Sequence, residues 1–101
     1  RLRVMKTLKD RMNDIGCSTF INILYPELKK DINIDIQTVA ARHETYSKYT
    51  IKSQKSRLSK CKSIFKNNEI CDALTFVIES TRVSEEIKCK AETYLKMETS
   101  I

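Results

Sequence analysis

Seven basic residues, Lys48, Lys52, Lys55, Arg57, Lys60, Lys62 and Lys66, fall within Thr45–Asn68, and no carboxylate interrupts them. The 101-residue chain carries 19 Lys plus Arg against 13 Asp plus Glu, a net charge of +6. Outside this stretch acids exceed bases by one, so the positive charge of the chain is local to it. Wound as a helix from Ser53 to Lys66 at about 100° per residue, the stretch separates into two faces. Ile51, Leu58, Cys61 and Phe65 fall along one side, with Gln54 among them. Lys55, Ser59, Lys62 and Lys66 line the other, flanked by Ser56, Lys60 and Ser63. Ammonium groups supply charge and serine hydroxyls supply short, adjustable donors, which together suit phosphate oxygens. Lysines also cover ordinary protein exteriors, but those interleave both signs of charge. The face is therefore read as one that binds an anionic partner, with double-stranded DNA the first choice. Lys52, Lys55, Arg57, Lys60, Lys62 and Lys66 would contact phosphates, while Ser56, Ser59 and Ser63 would supply position or limited base contact.

The elements that must hold this face can be read from composition and periodicity. One Gly and one Pro are too few for the frequent turns of a β-sandwich, and apolar residues make up 41 % of the chain. The reading is all-α, a single compact bundle of about five to six short helices. Such a length buries one core without staples. No apolar run approaches the roughly 18 residues of a membrane span, so no membrane partner is expected. No signal peptide is visible and the chain opens on Arg1 rather than Met, so it is taken as a domain excised from a longer intracellular protein.

Leu2, Met5, Leu8, Met12 and Ile15 recur at helical steps and predict a first helix over Arg1–Ile15, ended by Gly16. It is basic through Arg1, Arg3, Lys6, Lys9 and Arg11. Ser18 is placed as the cap of a short helix, Thr19–Leu24, broken by Tyr25-Pro26. Ile32, Ile34 and Ile36 alternate like a strand but lack a partner strand, so an extended connector is expected. Asp35 should cap a helix running from Ile36 to about Tyr49, with His43 on its apolar side as a satisfied core residue. Asn68 should cap Glu69–Glu79, whose Ile70, Leu74, Val77 and Ile78 make it the expected centre of the core. Ser84 should cap a last helix, with Glu85 and Glu86 at its positive end and Met97–Ile101 frayed.

Catalytic and metal chemistry find no footing. A single Gly excludes phosphate loops and dinucleotide fingerprints. One histidine without a Ser or Cys motif offers no nucleophile–base pair, so neither an enzyme nor a cofactor is expected. Cys17, Cys61, Cys71 and Cys89 form no CxxC pair and are read as reduced core thiols rather than zinc ligands or disulfides.

Phe20–Lys62 resembles the BEN domain, a small helical module of chromatin factors and some viral proteins. The family outline is a hydrophobic helix entering a leucine–aromatic–proline turn, an apolar-spaced helix, and a basic helix with a Lys-Cys-Arg-like signature. The corresponding segments are Phe20–Asp31 (FINILYPELKKD), Ile34–Tyr49, and Lys55–Phe65 with Lys60-Cys61-Lys62 at the signature. Lysines stand where the family often has arginines, which weakens any carry-over of bidentate base reading. The resemblance implies DNA binding or protein association, in transcriptional repression in the nucleus or in viral genome organisation at a cytoplasmic viral factory. The alternative is a helical adaptor whose basic helix docks on an acidic protein partner or a second copy of the chain.

Overall fold

Residues 7–100 are described by the computed structural model, and every regular element among them is helical. Thr7 opens α1 (Leu8–Ile15), its side chain accepting the Asp10 N–H at 3.1 Å. Met12 and Ile15 face the core. Gly16 ends the helix at φ +88°, a backbone conformation that side chains resist, while its N–H returns to the Met12 carbonyl. The expected first helix therefore holds from Leu8. Its earlier part, with Leu2, Met5 and the bases Arg1, Arg3 and Lys6, lies outside the described residues.

Pro26 does not break the next helix. α2 (Cys17–Thr19) widens into a π-helical turn (Phe20–Leu24) and tightens again as α3 (Tyr25–Lys30). The Tyr25 N–H bonds the Phe20 carbonyl, five residues back. Proline has no N–H, and its ring crowds the carbonyl four residues earlier; a wide turn just before it relieves both problems. Ser18 is correspondingly inside the helical run rather than at its cap. Phe20, Ile21, Ile23 and Leu24 are all buried, so this turn, not only the later hydrophobic helix, is the centre of the core. A segment apolar on nearly every side has to be covered on every side.

The isoleucine alternation forms a turn rather than an extended stretch. Asp31 accepts the Asn33 N–H on its side chain and the Ile34 N–H on its carbonyl, burying Ile34 and leaving Ile32 exposed. α4 (Ile36–Arg42) is capped by Asp35, which accepts the Thr38 N–H at 2.9 Å. The expected single helix to Tyr49 is interrupted where His43 turns extended (φ −132°, ψ 104°), and α5 (Glu44–Ser47) follows. That kink brings His43 Nε2 within 2.7 Å of the buried Glu27 carboxylate. His43 is thus satisfied by an ionic partner at the edge of the core.

Thr50 caps α6 (Ile51–Lys66), the longest helix, and α7 (Ile70–Glu79) and α8 (Glu85–Thr99) complete the bundle. Asn68 ends α6 instead of starting α7. It adopts φ +60°, which asparagine tolerates better than most residues, and the Glu69 N–H reaches back to the Ile64 carbonyl. Ser84 caps α8 as expected. The end of α8 does not fray within the described residues. Glu98 accepts a hydrogen bond from the Tyr25 hydroxyl and pairs with Lys29 at 2.7 Å, tying the last turn to α3. Tyr25 itself stacks among Phe20, Phe65 and Tyr94, the last with ring centres 4.5 Å apart. A Cα radius of gyration of 13.4 Å matches the about 13 Å of a 100-residue domain.

The four thiols are free, but only Cys61 lies in the core. Cys17 is partly buried, and Cys71 and Cys89 are exposed because the phases of α7 and α8 turn them outward.

Candidate nucleic-acid interface

α6 presents Gln54, Leu58, Cys61 and Ile64 to the core. This differs from the expected dry stripe in two places. Ile51 is 60 % exposed at the first turn, and Phe65 is only partly buried, against Tyr25. Ile64, absent from the expected stripe, is fully enclosed because α1 and the π-helical turn both pack on α6. Gln54 is buried with its side-chain Nε2 donating to the Tyr49 carbonyl at 2.9 Å, while its main-chain carbonyl accepts the Tyr46 hydroxyl at 2.5 Å. Burial pushes the Tyr46 phenol up to about 12, so it remains a donor.

On the outer side, Lys55, Ser59, Lys62 and Lys66 form one row along a groove of about 540 Å³ between α6 and the start of α4. The row extends about 16 Å along the axis at 1.5 Å per residue. Lys55, Ser59 and Lys66 are exposed and Lys62 partly so. None of the three lysines forms an ion pair among the described residues. The opposite wall holds Ile36 and Asp35. Hydrogen bonds from Thr38, with the field of Lys62 adding to them, hold the Asp35 carboxyl below its usual range. A row free of acids in sequence therefore has one anion beside it in space.

Lys52, Ser56 and Lys60 form a second row, about 90° further around the helix. This row is partly occupied: Lys60 Nζ donates to Ser56 Oγ at 2.5 Å and lies 3.6 Å from Asp14. Two of the nine candidate residues belong to neither open row. Ser63 borders the first groove, but its hydroxyl donates to the Lys60 carbonyl and accepts from Arg11 Nη1, both at 2.8 Å. Arg57 turns toward α1. Its Nη1 donates to the Ile15 carbonyl, its Nε to Ser53 Oγ at 2.9 Å, and its guanidinium lies 3.9 Å over the Tyr49 ring. Around the Lys60-Cys61-Lys62 signature, Cys61 points into the core and the two lysines serve different rows.

Two ionic knots had no signature in the sequence. Arg11 on α1 bonds Glu69 at 3.0 Å and Ser63, joining the start of α7 to the end of α6. Glu27, 6 % exposed, takes Arg42 Nη1 on one carboxylate oxygen and His43 Nε2 on the other, each at 2.7 Å. Burial opposes ionisation of Glu27, but the bonds from His43 and Arg42 outweigh it and hold its pKa below the usual value. Among the described residues no group of three His, Cys, Asp or Glu is placed to hold a metal ion. Nor is any described helix long and apolar enough to cross a membrane. Protein families, curated proteins and solved structures yield no match to this chain.

Proposed function

We propose that this domain binds double-stranded DNA along its backbone through Lys55, Lys62 and Lys66. Ser59 lies between them as a short donor, and Lys52 is an outlying contact. The observation that carries the reading is a row of three ammonium groups, without an ion pair among the described residues, on one side of a 16-residue helix. Lysine is a compact, hydrated point charge that matches phosphate oxygens without demanding a base pattern. The domain would therefore bind duplex with little sequence preference, since Arg57 turns away from the row toward α1 and Arg11 is held by Ser63 and Glu69. The BEN-domain resemblance of Phe20–Lys62 supports duplex binding and suggests a role in transcriptional regulation or viral genome organisation.

The test is the triple variant Lys55→Glu, Lys62→Glu, Lys66→Glu in a gel-shift titration with random duplex. Binding should fall by about 100-fold or more, because three attractions become repulsions. The melting temperature should stay nearly unmoved, because the row forms no ion pair among the described residues. Undiminished binding by the folded variant would sink the proposal. A second reading is favoured by one feature: Ile36 and Leu58 line the same groove, which suits an acidic amphipathic peptide. An acidic peptide that binds the parent domain while random duplex does not would select it.

A further inference from the structure

A second cleft, on the other side of Arg57, has the opposite character from the lysine groove. It measures about 480 Å³ and lies between the α1–α2 junction and the loop joining α7 to α8. Arg57 stands on one wall and Arg82 on another. Apolar surface comes from Phe76, Val83 and Ile87, and hydroxyls from Ser18, Ser80 and Ser84. No carboxylate lines it. Four other depressions on the described surface each include one: Asp35, Glu44, Glu79 or Asp14.

Arg57 is partly buried, yet it has no ion pair among the described residues. A guanidinium has five N–H bonds, and the Ile15 carbonyl and Ser53 hydroxyl occupy two of them. The Tyr49 ring covers one guanidinium face without neutralising the charge. A half-buried cation of this kind usually sits against a carboxylate, as Arg11 does against Glu69 and Arg42 against Glu27. Gly16 leaves the approach to Arg57 open on its side: a Cβ there would lie 3.5 Å from Nη1, at van der Waals contact. Burial pushes the Cys17 thiol up, so it stays protonated at neutral pH.

From this juxtaposition of two arginines, hydroxyls and apolar walls without an acid, we infer that the cleft binds an organic oxyanion with an apolar body. The charged group, a phosphate monoester or a carboxylate, takes the guanidinium donors left free. The body rests on Phe76 and Val83. The volume falls in the range of small-molecule pockets, about 300–1,000 Å³, and is too small for a duplex. The site is separate from the lysine row and does not depend on DNA binding.

The experiment titrates the full chain with phenyl phosphate, using phenol as the uncharged counterpart, and follows backbone amide resonances. Phenyl phosphate should bind saturably at millimolar concentration or tighter, shifting amides at Gly16, Thr19 and Val83. Phenol should shift them little. Arg82→Gln, an exposed position where no loss of fold is expected, should weaken binding by about 10-fold. The triple Glu variant of the lysine row should bind phenyl phosphate as the parent does. No saturation, equal shifts with phenol, or loss of binding in the triple Glu variant would each overturn the inference. Because that variant separates the two surfaces, failure of duplex binding leaves this test intact.

Discussion

The lysine row and the two ionic knots use the same chemistry in opposite surroundings. Arg11 and Glu27 are largely enclosed, and each is matched by partners from distant parts of the chain. Lys55, Lys62 and Lys66 project from a helix whose other side is dry, and among the described residues none of them forms an ion pair, with only Asp35 nearby. The difference teaches where charge is structural. An enclosed charge is tolerated only when hydrogen-bonded and paired, so its removal reads out as stability. A hydrated row costs the fold little and is left for an external anion.

The sharpest stability contrast lies within α6. Ile64→Ala should destabilise by about 2–5 kcal/mol, since the side chain is fully enclosed. Phe65→Ala, at a partly exposed ring, should cost clearly less despite the larger side chain. Denaturant unfolding of both variants checks this, and a larger loss at Phe65 would mean that the helix is phased as the sequence pattern first suggests.

A smaller effect is expected at Glu27. Glu27→Gln should cost about 1–3 kcal/mol at neutral pH, with Arg42, half exposed, free to rehydrate. The sign of the pH dependence follows from the lowered pKa. The bonds to Arg42 and His43 contribute fully above the usual glutamate value of 4.5 and are lost as pH falls through the lower folded value. Parent and variant should therefore converge in stability as pH falls through that lowered folded value, because protonated Glu27 resembles glutamine. A gap that persists unchanged into acid would show that the knot is held by something other than charge.

The smallest effect concerns Asp35, the one anion beside the row. Asparagine is as good a helix cap as aspartate, so Asp35→Asn should leave α4 intact. Removing the negative charge should tighten duplex binding by about two- to five-fold at low salt. Weaker binding would indicate that Asp35 helps to order the lysines rather than opposing the phosphate.

The periodicity and caps of this chain carry most of the helical architecture. Thr7 and Thr50 cap helices alongside the anticipated Asp35 and Ser84, each through a local side-chain bond to an N–H three residues on. On α7 the expected Ile70, Leu74 and Val77 are buried, but Ala73 joins them while Ile78 is only partly covered and Cys71 is exposed; the row at steps of four, three and four from Lys55 to Lys66 was legible. What periodicity misses is non-local. The passage through Pro26 depends on a π turn wrapped on several sides. The kink at His43 accompanies a carboxylate 16 residues away. Arg57 and Lys60 look alike in a list of bases, but Arg57 bonds the Ile15 carbonyl and lies over a tyrosine ring, while Lys60 reaches Ser56 and Asp14. The ambiguity at Phe65 is simpler: it and Ile64 are neighbours about 100° apart, and which one faces inward depends on what packs there.

The central claim is that the unpaired lysines, and not the paired cations, meet a phosphate backbone. The most direct measurement is the affinity for random duplex across a series of salt concentrations. Three to four phosphate contacts, from Lys55, Lys62, Lys66 and Lys52, predict that log K falls against log salt with a slope of about −3 to −4. The triple Glu variant should lose most of that slope together with its affinity. A slope near zero for the parent, or absence of binding at low salt, would contradict the claim and leave the row as hydrated surface.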